Sequence, residues 1–181
     1  MPGGEPGGEP SDGPSDGPSD ASARRRHRSD DIPLHALLGL EWERPDKGSR
    51  LAEVRMPVRP EAFGFTANLH GGAVATMVDL ACALAAARAT DFDPERESLV
   101  TADMHVRYLG RPRSSMVCAR AEVVRVGSQL IVIECKVVDD DDDDDDDEVH
   151  IIASADFSMM RVPLRRPLTP FVDSEPGAPE L

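Results

Sequence analysis

The stretch HGGAVATMVDLACALAAAR, residues 70–88, decides how the chain folds. From 73 to 88 it reads as a helix rich in Ala, Leu and Met, apolar on every side except at Asp79. Such a helix has to be covered on most sides. Four extended segments follow. Residues 99–109 alternate Val100, Ala102, Met104, Val106 and Tyr108 with Thr101, Asp103, His105 and Arg107, the period-two pattern of a strand half-buried on its apolar side. Residues 117–126 and 151–162 alternate in the same way, and Gly127-Ser128 turns the chain into a further strand over 130–138. Upstream, a short helix is expected over 33–38, then a hairpin with arms 41–43 and 50–58 joined by Pro45-Asp46-Lys47-Gly48. One long helix beside a run of antiparallel strands implies an α+β domain whose sheet curves round the helix.

Composition sets the bounds of this domain. The chain has 181 residues, 40% of them hydrophobic and 30% charged, with a formal charge of −14. Nine of the negative charges form one run, 139–147, without which the charge would be −5. The acidity is local. The run falls in the last hairpin, where contiguous like charges read as a flexible loop over 139–148. It lacks the spaced ligands and the bending Gly of a calcium loop. Residues 1–31, mostly Gly, Pro, Ser, Asp and Glu, read as a disordered tail, and 167–181 as a second flexible tail. The foldable part is 32–166. No basic stripe with interleaved aromatics is present, which argues against nucleic acid as a partner. The longest apolar stretch, 73–87, is broken by Asp79 and falls short of the ~20 residues that span a bilayer. A cytoplasmic protein without a membrane partner is expected. Cys82, Cys118 and Cys135, an odd number without CxxC spacing, read as buried free thiols.

Asp79 is the anomaly of the long helix, because burying an unpartnered carboxylate costs several kcal/mol. One reading satisfies it by a neighbour or places it at a wet edge. A chemical reading takes in Asn68-Leu69-His70-Gly71-Gly72 just upstream. Backbone N–H groups of Gly71 and Gly72, at the positive end of the helix dipole, could receive a carbonyl oxygen as it becomes an oxyanion. The same glycines would also serve a tight turn capped by His70. Gly71 and Asp79 are eight residues apart, about 12 Å along one helix, so both cannot touch one carbonyl. Two antiparallel copies of the helix would bring the Gly71 end of one beside Asp79 of the other. The chemistry therefore implies a two-fold dimer with its sites at the interface.

Residues 70–79, His-Gly-Gly-Ala-Val-Ala-Thr-Met-Val-Asp, resemble the HGG…D helix of hotdog-fold acyl-CoA thioesterases of the phenylacetate-pathway (PaaI-like) type. The likeness continues through 100–104, Tyr108-Leu109, Val126-Gly127 and the strand over 153–157, covering about 50–162. It implies a hotdog fold and hydrolysis of an acyl-CoA to a carboxylic acid and CoA, with no metal and no cofactor. Asp79 would be general base or nucleophile, Gly71 the oxyanion donor, His70 a positioning residue, and Thr101 the hydroxyl that orients the water. Members often carry Asn or Gln five or six residues before the His. Here Gly64 and Phe65 stand there, and Asn68 is the nearest amide side chain. Asn68 and Gly72 are counted as substrate contacts. Arg111, Arg113 and Arg125 are candidates for the CoA phosphates. A homodimer is expected, or a tetramer of two dimers. The alternatives are a non-catalytic acyl-CoA binding or sensing module, and a structural dimer with an empty groove.

Overall fold

The computed structural model describes residues 26–28, 32–140 and 149–164. Within these the chain runs β1 (Arg26–Arg28), α1 (Pro33–Leu38), β2 (Glu41–Glu43), β3 (Leu51–Pro57), a 3-10 turn (Pro60–Ala62), α2 (Gly71–Ala89), β4 (Glu97–Tyr108), β5 (Met116–Val126), β6 (Leu130–Asp139) and β7 (Ile151–Pro163). The strands make one antiparallel sheet in the order β1-β2-β3-β5-β6-β7-β4. This is the hotdog arrangement, α+β, with one long helix held in the curve of the sheet. β1 falls inside the stretch expected to be a disordered tail. The rest of that tail, 1–25 and 29–31, lies outside the described residues, as do the second tail and residues 141–148 of the acidic run.

The core forms where α2 meets the sheet. Ala73, Val74, Met77, Val78, Ala81, Cys82, Ala85 and Ala86 are buried, a stripe of paired positions recurring every four residues. They pack against Val54, Met56, Val117, Ala119, Ile131, Ile133, Ala155 and Phe157. Each of the larger side chains contributes about 1.5–3 kcal/mol by leaving water. Small residues dominate the helix, which lets it lie close to the strands. The other face, carrying Ala75, Thr76, Asp79, Leu80, Ala83 and Leu84, is only half-buried. The all-round cover expected from the sequence is therefore half supplied by one chain. By length and composition alone α2 would also pass for a membrane span, a test that core helices meet as well.

β4 corrects the sequence reading in one respect. Its register with β7 shifts between Thr101 and Asp103, so Ala102 is a bulge. Residues directly opposite share a face. Thr101 stands opposite Met159, Met104 opposite Phe157, Val106 opposite Ala155 and Tyr108 opposite Ala153, all buried partners on the helix side. Val100 instead falls on the outer face, with Asp103, His105 and Arg107. The strand lies at the sheet edge and is not half-buried: Val100 is 46% exposed, Met104 38% and Tyr108 56%.

Asp139 and Asp140, expected at the root of a flexible loop, are fixed instead. Asp139 ends β6, and its Oδ1 accepts from the N–H groups of Arg113 (2.9 Å) and Ser114 (3.1 Å) and from the Ser114 hydroxyl (3.0 Å). The amides entering β5 have no strand partner there, and a carboxylate supplies one. Asp140 takes the Arg55 guanidinium at 2.6 Å.

Candidate functional site

The approach to α2 is a tightly bonded loop. Gly64 N–H donates to Asn68 O at 2.7 Å, and His70 N–H to Ala62 O at 2.8 Å. Ala67 takes a left-handed φ of 52° to close the turn. Asn68 Oδ1 accepts from Leu69 N–H at 2.9 Å, which commits the side chain to the loop itself. His70 then caps the helix: its Nδ1 accepts from Gly72 N–H at 2.9 Å. Gly72 is therefore no free donor, contrary to the sequence expectation. Gly71 N–H has no partner among the described residues and remains at the positive end of α2.

Two hydrogen bonds tie the open side of α2 to β4. The Thr101 hydroxyl donates to Asp79 Oδ1 at 2.7 Å, leaving Oδ2 without a hydrogen bond among the described residues. The Tyr108 hydroxyl donates to Gly71 O at 3.0 Å, and a Cβ on Gly71 would stand 3.2 Å from that ring. Glycine is required there by the close approach of the aromatic side chain. Asp79 with Thr101, and Gly71 with His70 and Gly72, thus form two clusters on the same helix. Within one chain they do not meet.

Arg111 and Arg113 follow Tyr108 closely and lie at the Gly71 end. Arg111 O contacts His150 Nε2 at 2.9 Å, and Arg113 N–H is held by Asp139. Arg125 is elsewhere. It stands opposite Val132, in the row that runs through Ser158 to Asp103, on the sheet face away from α2. No phosphate could touch Arg125 and Arg113 of one chain, since most of β5, about 30 Å, separates them.

Two residues near these clusters escaped the sequence reading. Tyr108 was placed only as an apolar strand residue; its position two residues before Gly110, at the end of β4, was the available signal. His35 on α1 lies within electrostatic reach of the Asp79 carboxylate. Burial lowers its pKa below the ordinary 6.5, outweighing the opposing pull of that negative charge. No sequence spacing links residues 35 and 79; the contact is tertiary.

The arrangement offers a half-buried carboxylate with one free oxygen, and a separate unpaired amide at a helix N-terminus. These are the elements of a site that activates water and receives an oxyanion. Known proteins agree with this chemistry. The sequence model of the thioesterase superfamily matches residues 66–145. A candidate esterase of Halobacterium salinarum is 35% identical over 112 residues, covering 60% of this chain and 72% of that protein. A thioesterase family protein from Silicibacter pomeroyi shares 26% identity at a TM-score of 0.61, over 74% of this chain and 91% of that one. A Bacillus halodurans protein, whose crystal structure was solved with CoA, shares 28% identity at a TM-score of 0.52, over 61% and 66%.

Proposed function

This chain belongs to the thioesterase superfamily and is a thioester hydrolase, and we propose that its substrate is an acyl-CoA bound between two copies of the chain. The Thr101–Asp79 hydrogen bond carries this reading, because it fixes one carboxylate oxygen and leaves the other for a proton. CoA in the related Bacillus halodurans structure supports the substrate class. Arg111 and Arg113, at the Gly71 end, are suited to its phosphates. The half-exposed face of α2 and the edge strand β4 support a homodimer in which a second α2 runs antiparallel to the first.

The thioester carbonyl then lies between the Gly71 amide of one protomer and Asp79 of the other. Asp79 acts as general base: it takes a proton from water while the water oxygen bonds to the carbonyl carbon. The carbonyl electron pair moves onto oxygen, which the Gly71 N–H stabilises. Collapse re-forms the carbonyl and expels the CoA thiolate. A thiolate is a good leaving group, so no strong acid is needed at the sulfur.

Thiol release from a panel of short, long and aromatic acyl-CoA esters tests the reading. Asp79→Asn should lower kcat by at least about 10³-fold with the oligomer intact. Unchanged turnover in that variant would reject Asp79. A single turnover in H₂¹⁸O separates the two roles of the carboxylate. A general base puts ¹⁸O into the acid at once, whereas a nucleophilic Asp79 delivers unlabelled oxygen first.

A further inference from the structure

We propose that His35 holds the hydrolytic water jointly with Asp79, a role that rests on the general-base reading of that carboxylate. His35 lies in the middle of α1, and the backbone round it is already secured. Gly39, left-handed at φ 65°, closes the helix. Leu40 N–H donates to His35 O at 3.0 Å, and the Arg59 guanidinium donates to Leu37 O at 2.7 Å. None of these bonds uses the imidazole. Its Nδ1 is nevertheless shut away from solvent and has no hydrogen-bond partner among the described residues. Buried polar atoms are nearly always partnered in folded proteins, so an unpartnered one needs an explanation.

Its position supplies one. The carboxylate that acts on the ring is Asp79, whose Oδ1 is occupied by Thr101 and whose Oδ2 is free. Burial keeps the imidazole neutral at pH 7, so one ring nitrogen is a bare acceptor. With the ring proton on Nε2, that acceptor is the buried Nδ1. Asp79 and His35 then present two acceptors, and water has two O–H donors. A water donating to both has its lone pairs left for the thioester carbon. As the C–O bond forms, the O–H bond to Asp79 breaks and its proton passes to the carboxylate. The C–S bond then breaks and the sulfur departs as thiolate. His35 gains and loses no proton through this step. It differs from Asp79 in holding the water without taking the charge.

The test compares His35→Leu and His35→Phe, which remove the acceptor, with His35→Asn, which keeps an acceptor close to the Nδ1 position. Acyl-CoA thiol release and thermal unfolding are measured on the full chain. Both apolar variants should lose about 10–100-fold in kcat, with KM within about two-fold and an undiminished melting temperature. His35→Asn should stay within about three-fold of the wild type. Full kcat in an apolar variant overturns the proposal. So does equal loss in His35→Asn, and so does loss of fold in both apolar variants, which would assign the ring to packing. Asp79→Asn run alongside separates the failures. If it turns over normally, the general-base reading falls. If it is inactive while His35→Leu is unimpaired, only the role of His35 falls.

Discussion

The Thr101 hydroxyl donates to Asp79 Oδ1 at 2.7 Å, joining the edge strand to the open face of the helix. A hydrogen bond to a charged group contributes about 1.5–3 kcal/mol, which as lost positioning corresponds to roughly 10–150-fold in rate. Thr101→Val should therefore lower kcat by a factor in that range, while Thr101→Ser, which keeps the hydroxyl, should stay within a few-fold. Steady-state thiol release measures both. Equal kinetics for Val and Thr would remove Thr101 from the site.

His70 has a structural duty separable from any contact with substrate. Its ring caps the Gly72 amide, and loss of an N-cap side chain costs about 0.5–2 kcal/mol. His70→Ala should lower the urea midpoint by a corresponding amount. His70→Asn, with a strong capping side chain, should restore it. If activity stays low in His70→Asn at restored stability, the imidazole also serves the substrate.

All three cysteines are buried and free. Burial pushes the Cys118 thiol up to about 12, with the charges of Glu53 and Asp140 adding to the effect. Cys82 is raised first by its hydrogen bond with Cys135 and then by burial. At pH 8 a disulfide reagent such as Ellman's should find almost no thiolate in the native protein and three reactive thiols in denaturant. Fast native labelling would contradict the packing of α2 on β6.

Arg161 clamps the segment between α2 and β4. Its Nε and Nη2 reach Glu97 at 2.9 and 2.6 Å, and its Nη1 reaches Asp91 at 2.9 Å. These hydrogen bonds hold both carboxyls below their ordinary values of 4.5 and 3.8. Carboxylates depressed in the folded state stabilise it above their unfolded pKa, and that support disappears as pH falls through the folded values. Arg161→Met should thus have a lower urea midpoint than the wild type at pH 7, with the gap closing below about pH 4. A gap that persisted at pH 3 would assign the effect to packing instead.

A site shared between protomers has a decisive mixing test. Asp79→Asn and Gly71→Val should each be inactive alone, the second because its side chain crowds Tyr108 and the amide. Subunits exchanged between the two form mixed dimers in which one of two sites is whole. Activity should return to roughly a quarter of wild type. No recovery after verified exchange would place both groups in one chain's site.

The sequence was most informative where apolar periodicity coincides with regular backbone. α1 was expected over 33–38 and is Pro33–Leu38, and the alternation of β5, β6 and β7 located each strand to within a residue or two. β4 misled, because the apolar series Val100, Ala102, Met104 runs on unbroken while the backbone inserts an extra residue at Ala102. Asp79 and Thr101 were legible as candidates through a lone charge and a family likeness. Their hydrogen bond was not, since the face of Thr101 depends on that bulge. His35 and Tyr108 stayed hidden for a different reason: each meets the site through tertiary packing, and local spacing does not encode such contacts.

The bulge at Ala102 also sets the parity of the strand. Thr101 and Tyr108 are seven positions apart, an odd interval, and in an unbroken strand they would point in opposite directions. One extra residue makes the count even, so both can address the same helix. A further insertion anywhere between Asp103 and Tyr108 would turn one of them outward and uncouple the Asp79 contact from the Gly71 contact. Deleting Ala102 would leave both aimed at α2.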